Sequence, residues 1–279
     1  MTVDTKPQLH VSMLDTLSRC GEQFRRRYGS LFGWNDRPEI IPPGSDLITG
    51  IATHKAIERN LQNKITVGEL LPIEAVMDAA RDEAAGLWSQ EVRLLPDETA
   101  DTGKARGQSV DMAVSLSSLH ATDLAPEIQP KAVERKWVIN LRGYPFDLAG
   151  MMDIEEVDGA IRDTKTAGKT PGQSIADNSQ QLTMYSLAKK VCDGEAPSAL
   201  YMDNLIKLKT PKIVTLATTR NDQDREMLMR RIERATTIIE KGAFQPANPN
   251  DWACSQAWCG YWDSCPFASR KKTFSVNGE

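Results

Sequence analysis

The chain has 279 residues, 40% of them apolar and 26% charged, and a net charge of −4. That length can bury a substantial core as one enlarged domain or two small ones, and the composition is that of an ordinary soluble globular protein. No apolar run approaches roughly 18 residues, so no membrane helix is expected. The opening MTVDTKPQLH lacks the apolar core of a signal peptide, so the chain is expected to stay in the cytoplasm.

Residues 10–28 read as a helix carrying Cys20 and the run Arg25, Arg26 and Arg27. A loop rich in Pro and Gly follows at 34–46. Residues 47–63 place Ile48, Ile51, Ala52, Ala56 and Ile57 at helical spacing, and 72–93 and 104–122 read as two more helices. The pattern then changes. Residues 131–140 alternate as a strand, with further strands at 145–156 and 159–166, separated by the turn Val157-Asp158-Gly159. An Asp-Gly step between apolar runs is a strong hairpin signal. A helix at 177–193, a strand pair at 198–208 and 212–218, and a charged helix at 221–242 closing on Gly242 complete the regular structure. The tail from 246 to 268 is irregular and rich in Cys and Trp. A helical part (about 1–125), an α/β core (126–245) and a Cys-rich segment (246–279) together predict a single α/β domain with a mixed sheet.

The most informative stretch is Asp153-x₉-Asp163-Thr164-Lys165. A tight hairpin brings both acids to one sheet edge, and paired carboxylates are the hard ligands Mg²⁺ or Mn²⁺ prefers. Lys165, two residues beyond Asp163, shares its face of the strand. Phosphodiester hydrolysis needs such parts: a cation to neutralise phosphoryl charge and acidify water, and a lysine to hold that water. Taken alone the motif also fits a surface hairpin with scattered ion pairs. Its surroundings narrow the choice. Gly50, His54 and Glu58 lie four apart on one helical face ahead of the core, and Gln181 and Tyr185 lie four apart on the helix after it. The net acidic charge does not point to a nucleic-acid binder, but local potential matters more than the sum. Basic clusters occur at Arg25–Arg27, at Lys165 and Lys169, and at Arg270, Lys271 and Lys272; each alone also fits a solvated face.

Five cysteines in a cytoplasmic chain suit metal better than disulfides, and the odd count suits four ligands plus a bystander. Cys254-x₄-Cys259-x₅-Cys265 lacks the close C-x₂-C knuckles of structural zinc, but four thiolates suit either zinc or an iron–sulfur cluster. Trp252, Trp258 and Trp262 read as an apolar jacket, or as stacking surfaces for bases.

The ordered set of Cys20, the His54 helix, Glu134, Gly150-Met-Met-Asp153, Asp163-Thr-Lys165, Gln181-x₃-Tyr185 and the terminal cysteines resembles the RecB-like branch of the PD-(D/E)XK nucleases. More narrowly it is similar to the iron–sulfur members, the AddB nuclease domain and the CRISPR-adaptation exonucleases. The resemblance spans roughly residues 12–268. It implies a restriction-endonuclease-like mixed sheet flanked by helices, and a Mg²⁺- or Mn²⁺-dependent deoxyribonuclease, in particular an exonuclease. It further implies His54, Asp153, Asp163 and the Thr164 carbonyl as metal ligands, Lys165 activating water, and Gln181 and Tyr185 orienting the lysine and the phosphate. Glu134 matches an early strand glutamate of the family, or it forms a cross-strand ion pair. Cys20, Cys254, Cys259 and Cys265 would hold a [4Fe–4S] cluster, with the tail docked on Cys20 and Cys192 left as a bystander thiol. DNA is the implied substrate, with a helicase, recombinase or CRISPR-adaptation protein as partner. No G-x₄-G-K-[ST] phosphate loop occurs, so any motor is a separate chain. A bacterial or phage setting, and a role in recombination, repair or spacer capture, rest on analogy. The alternatives are a non-catalytic iron–sulfur DNA-binding scaffold and a cluster-bearing redox sensor.

Overall fold

A computed structural model of the protein describes residues 6–268. The chain forms two compact units, Met1–Ser12 with Pro42–Thr236 and Met13–Ile41 with Thr237–Glu279. The Arg270, Lys271 and Lys272 cluster lies outside the described residues. None of the described helices is long and apolar enough to cross a membrane.

The larger unit is a mixed sheet with helices packed on it, as the sequence pattern predicts. Helix α3 (Ser45–Val67) buries Ile48, Ala52, Ala56, Ile57 and Leu61 and stops at Gly68, whose φ of 89° suits the left-handed cap only glycine adopts freely. Helices α4 (Ile73–Trp88) and α6 (Thr102–Asp123) pack beside it through Ala79, Ala80, Ala84, Ala105 and Ala113, small side chains that let helices approach closely. A second cluster joins Ile57 and Leu61 of α3 and Leu116 of α6 to Ile154 and Leu205 of the sheet. Each such large apolar side chain contributes about 1.5–3 kcal/mol on burial. A short helix, α5 (Pro96–Ala100), precedes α6.

The sheet holds β1 (Gln8–Leu9), β2 (Pro130–Ile139), β3 (Asp147–Glu156), β4 (Ile161–Ala167), β5 (Leu200–Ile206) and β6 (Lys212–Thr218). β2 runs antiparallel along one edge of β3 from Leu148 to Glu156. The other edge of β3 is shared: β1 pairs in parallel with Asp147 and Leu148, and β4 pairs antiparallel with Ile154 and Glu155 only. β3 and β4 therefore part after two rungs, at Asp153 and Asp163. β4 continues in parallel along β5 for its whole length, and β6 closes the sheet antiparallel to β5. The Asp158-Gly159 turn forms as expected, with Gly159 at φ 86°. Helices α7 (Gln173–Asp177) and α8 (Gln180–Asp193) join β4 to β5, and α9 (Asp222–Lys241) follows β6.

Several local expectations are corrected. β1 falls where no strand was read, because two residues give no periodicity. The helix expected at 72–93 ends at Trp88, and that at 177–193 starts only at Gln180, where the Ser179 hydroxyl accepts from Leu182 N–H as an N-cap. The helix expected at 10–28 is two helices, α1 (Val11–Arg19) and α2 (Gly21–Tyr28). Cys20 breaks it in an extended conformation (φ −154°, ψ 105°) and caps α2 through its sulfur. Gly21 permits the break: a Cβ there would come within 2.7 Å of the Phe244 and Gln245 backbone.

The smaller unit is built on aromatic rings. Phe24 is fully buried and stacks on Phe32 and Phe244, with centroids 5.8 and 5.7 Å away. Trp34 donates its ring N–H to Ile239 O, and Tyr261 donates its hydroxyl to Glu39 O. The arginine run is largely absorbed here. Arg25 pairs with Glu22 and Asn35, and Arg26 pairs with Glu39 and Ser264.

Candidate active site

The point where β3 and β4 separate is where the predicted acidic residues meet. Asp163 on β4 is fully buried, and Lys165, on the same strand face, donates to its Oδ1 at 2.9 Å and lies 2.8 Å from Oδ2. Beyond the last β3–β4 rung the Thr164 N–H has no carbonyl across from it. The Asp153 carboxylate takes that bond instead, at 2.9 Å. One oxygen of Asp153 thus ties the two strands together at their fork.

Helix α3 brings His54 to the same place, with Nδ1 3.7 Å from Asp153 Oδ2. Gly50 makes this approach possible, since a Cβ there would stand 3.3 Å from the Thr166 hydroxyl on β4. Burial, then the Lys165 charge, lowers the His54 pKa, which leaves a neutral imidazole, the form that binds metal.

Glu134 completes the group. In the β2–β3 register it falls between Val133↔Ile154 and Arg135↔Met152, and so lies opposite Asp153. Like charges directly opposite each other repel. Glu134 also has a φ of 51°, the one positive value at a non-glycine among the described residues, a conformation that costs of the order of 1 kcal/mol or more. Burial, then the charges of Asp153 and Glu58, raises its pKa to about 7. The cross-strand ion pair considered for Glu134 does not form within 4 Å among the described residues. One ligand atom each from His54, Glu134 and Asp153 lies within 4.8 Å of the others, a spacing that could hold a metal ion. Glu58, next to them on α3, lines the same small cavity.

Helix α8 supplies the far wall. Gln181 donates to the Tyr185 hydroxyl at 2.6 Å, and that hydroxyl donates to Asp163 Oδ1 at 3.4 Å. Burial, then the charges of Asp163 and Asp153, holds the Tyr185 pKa well above 10, so the phenol keeps its proton and serves as a donor. Burial raises both Asp153 and Asp163 above the usual carboxylate range, partly offset by Lys165. Crowded carboxylates disfavoured as anions, beside a neutral imidazole, are a donor set that suits a divalent cation.

Behind the fork the structure shows a network that sequence reasoning missed. Arg162, at the last β3–β4 rung, donates to Glu156 of β3 at 2.6 Å and to both oxygens of Asp203 on β5, at 3.1 and 3.0 Å. Asp203 is fully buried, also accepts from Thr215, and sits beside Thr164 in the β4–β5 register. The one sequence signal was an arginine next to Asp163 on the predicted strand. His120 of α6 was also missed. It is fully buried, neither ring nitrogen has a hydrogen-bond partner among the described residues, and burial pushes its pKa down to about 3.

In the smaller unit Cys20, Cys254, Cys259 and Cys265 line one cavity with Arg19, Gln23 and Trp262. Cys20 Sγ accepts backbone N–H bonds from Gln23 and Ala247, each at 3.4 Å. No three cysteine sulfurs among the described residues lie within 4.8 Å of one another, so no single-ion cysteine site is formed. The jacket of three tryptophans needs correction. Trp262 lines the cavity, but Trp252 and Trp258 are 62% and 61% exposed, edge to face with each other. Cys192 is an exposed thiol.

No family model matches the chain, and no curated protein does. Among solved structures the chain is similar to one from Eubacterium rectale described as "Putative exonuclease", with a TM-score of 0.51 over 90% of this chain and 86% of that one, at 12% identity. The two share a fold. A second structure, of a protein named SSO0001, aligns over 77% of this chain and 84% of that one at 12% identity, but its TM-score of 0.38 is too low to bear on the fold.

Proposed function

We propose that this chain is a metal-dependent DNA nuclease, acting as an exonuclease, with the whole chain serving as one nuclease domain. The observation that carries the reading is the fork of β3 and β4. There Asp153 binds the Thr164 N–H, His54 and Glu134 close around Asp153, and Lys165 stands on buried Asp163. The fold shared with the structure described as "Putative exonuclease" agrees with it.

In this reading His54, Asp153 and Asp163, with the Thr164 carbonyl and Glu134, hold Mg²⁺ or Mn²⁺; the imidazole favours Mn²⁺. The bound cation supplies Lewis acidity toward the phosphoryl group. Lys165, fixed by Asp163, donates to the attacking water and to the phosphoryl oxygen on which charge develops. Tyr185, itself held by Gln181, donates to Asp163 and keeps its Oδ1 oriented toward the lysine.

The four cysteines we assign to a [4Fe–4S] cluster. Their shared cavity and the two N–H bonds to Cys20 sulfur support a thiolate site. The absence of close C-x₂-C knuckles in the sequence disfavours a structural zinc. A helicase, recombinase or CRISPR-adaptation protein in a bacterial or phage-infected cell is the partner this activity would serve.

The test is anaerobic incubation of the protein with end-labelled single- and double-stranded DNA in EDTA, Mg²⁺ or Mn²⁺, beside Asp163→Ala. Metal-dependent degradation that the variant lacks is expected. Cluster-loaded protein that cleaves nothing under any of these conditions would transfer the chain to the scaffold reading.

A further inference from the structure

One basic feature is not used by the metal site. β4 and β5 are parallel, so their carboxyl ends lie at one edge of the sheet, and antiparallel β6 begins there. The last rungs are Ala167↔Ile206 and Ile206↔Lys212, and Lys207 N–H donates to Ala167 O at 2.8 Å. Lys169 follows β4 by two residues, Lys209 lies at the tip of the β5–β6 connection, and Lys212 opens β6. All three are exposed, and none has an ion-pair partner within 4 Å among the described residues, whereas Lys207 between them is tied to Asp46. Strand spacing of about 5 Å and rise of about 3.3 Å per residue put this rim about 10 Å wide and within about 13 Å of Lys165 along β4.

Ligands of open α/β sheets bind outside the carboxyl ends of parallel strands. The groove beside the rim is lined by Lys207 and Lys209 together with Asp46, which is paired to Lys207, and by Asp97, Glu98 and Asp111; these acids repel a polyanion, and the exposed lysines of the rim are the positive charges left to hold one. We propose that Lys169, Lys209 and Lys212 bind the sugar–phosphate backbone of a single DNA strand running on from the scissile phosphate. This rests on the nuclease reading and adds to it where the substrate lies. An isolated edge lysine such as Lys212 also guards a sheet edge against aggregation, but that role does not call for Lys169 and Lys209 on two loops at the same end.

The experiment measures binding of a fluorescent single-stranded oligonucleotide to the full chain in EDTA, by anisotropy, between about 50 and 200 mM salt. Each phosphate contact on a single strand contributes a slope of roughly −0.7. The variant Lys169→Gln/Lys209→Gln/Lys212→Gln is expected to lose about 2 from the log–log slope, so the wild-type advantage shrinks roughly 15- to 20-fold across that range. The three Lys→Arg changes together are expected to keep the wild-type slope. An unchanged slope in the glutamine variant, with metal-dependent cleavage intact, overturns the rim and leaves the nuclease reading standing. A slope lost equally in the arginine variant assigns the effect to altered structure and also overturns the rim. Wild-type protein with neither DNA affinity nor cleavage overturns both.

Discussion

Arg162→Met isolates the network behind the fork. Among the described residues Arg162 is the one cation paired with Asp203, a carboxylate with no solvent exposure, and it also holds Glu156, which is 10% exposed. Methionine fills similar volume but leaves two buried anions facing each other, with only Thr215 still donating to Asp203. Removing one partner of a buried pair costs about 3–5 kcal/mol. For a chain of this size that lowers Tm by about 10 °C. Arg162→Met/Asp203→Leu also removes the fully buried anion and should regain part of the loss, because Glu156 is left without its arginine but still accepts from the Gln129 N–H. Because Arg162 is the residue before Asp163 and Asp203 lies beside Thr164, the single variant should also bind Mn²⁺ more weakly, as read by electron paramagnetic resonance of the free ion. Guanidinium unfolding of the two variants decides the matter. A single variant destabilised by less than about 1 kcal/mol, or a double variant no better than the single, would refute the buried-clamp argument.

Glu134→Gln should separate stability from metal binding. It removes the like charge opposite Asp153, so metal-free protein is expected to gain up to about 1 kcal/mol while Mn²⁺ affinity falls; a variant that binds Mn²⁺ as tightly as wild type takes Glu134 out of the site. The same pair gives a pH test. With its pKa raised to about 7, Glu134 favours the fold below the ordinary carboxylate range, and that contribution is lost as pH rises through about 7. The stability gap between the metal-free variant and wild type should therefore open from the ordinary carboxylate range to about pH 7 and stay level above it, and wild-type Mn²⁺ affinity should rise through about pH 7 as the proton leaves; calorimetry at pH 5, 6, 7 and 8 checks both. Cys259→Ala is expected to lose iron and the visible absorption of the cluster, and to fold poorly; a soluble, fully active variant would show that no cluster staples this unit.

How far the sequence leads depends on whether the signal is local. Helices α3, α4 and α6 and strands β2 to β6 were legible because their apolar periodicities and turn residues sit in the elements themselves, and Gly159 needs only its neighbours to be read. Asp163 and Lys165 were legible as a pair because strand alternation places them on one face without any tertiary information. The break at Cys20 was not, because a helical pattern runs through it; what stops the helix is the approach of the Phe244 backbone to Gly21, more than two hundred residues away in sequence. Arg162 drew no reading from the sequence, since nothing local says that Asp203 and Glu156 will lie against it, buried. Trp252 and Trp258 were read as a jacket for the cysteines, or as stacking surfaces for bases, because they lie among the cysteines in sequence, and a tail without periodicity does not say which way a ring faces.

Glu134 shows what register adds to a motif. In sequence it is the single acid of an alternating strand, matched to an early strand glutamate of the resembled family or read as half of a cross-strand ion pair. Pairing β2 with β3 places it across from Asp153, in a backbone conformation that glutamate rarely adopts and beside a charge of the same sign. A fold gains nothing in stability from either feature, and a lysine at that position would relieve the repulsion. A cation held by His54, Glu134 and Asp153, whose ligand atoms lie within 4.8 Å of one another, would offset the repulsion. The β2–β3 register, as much as the Asp163–Lys165 pair, is what assembles a group that could hold a metal ion on this sheet.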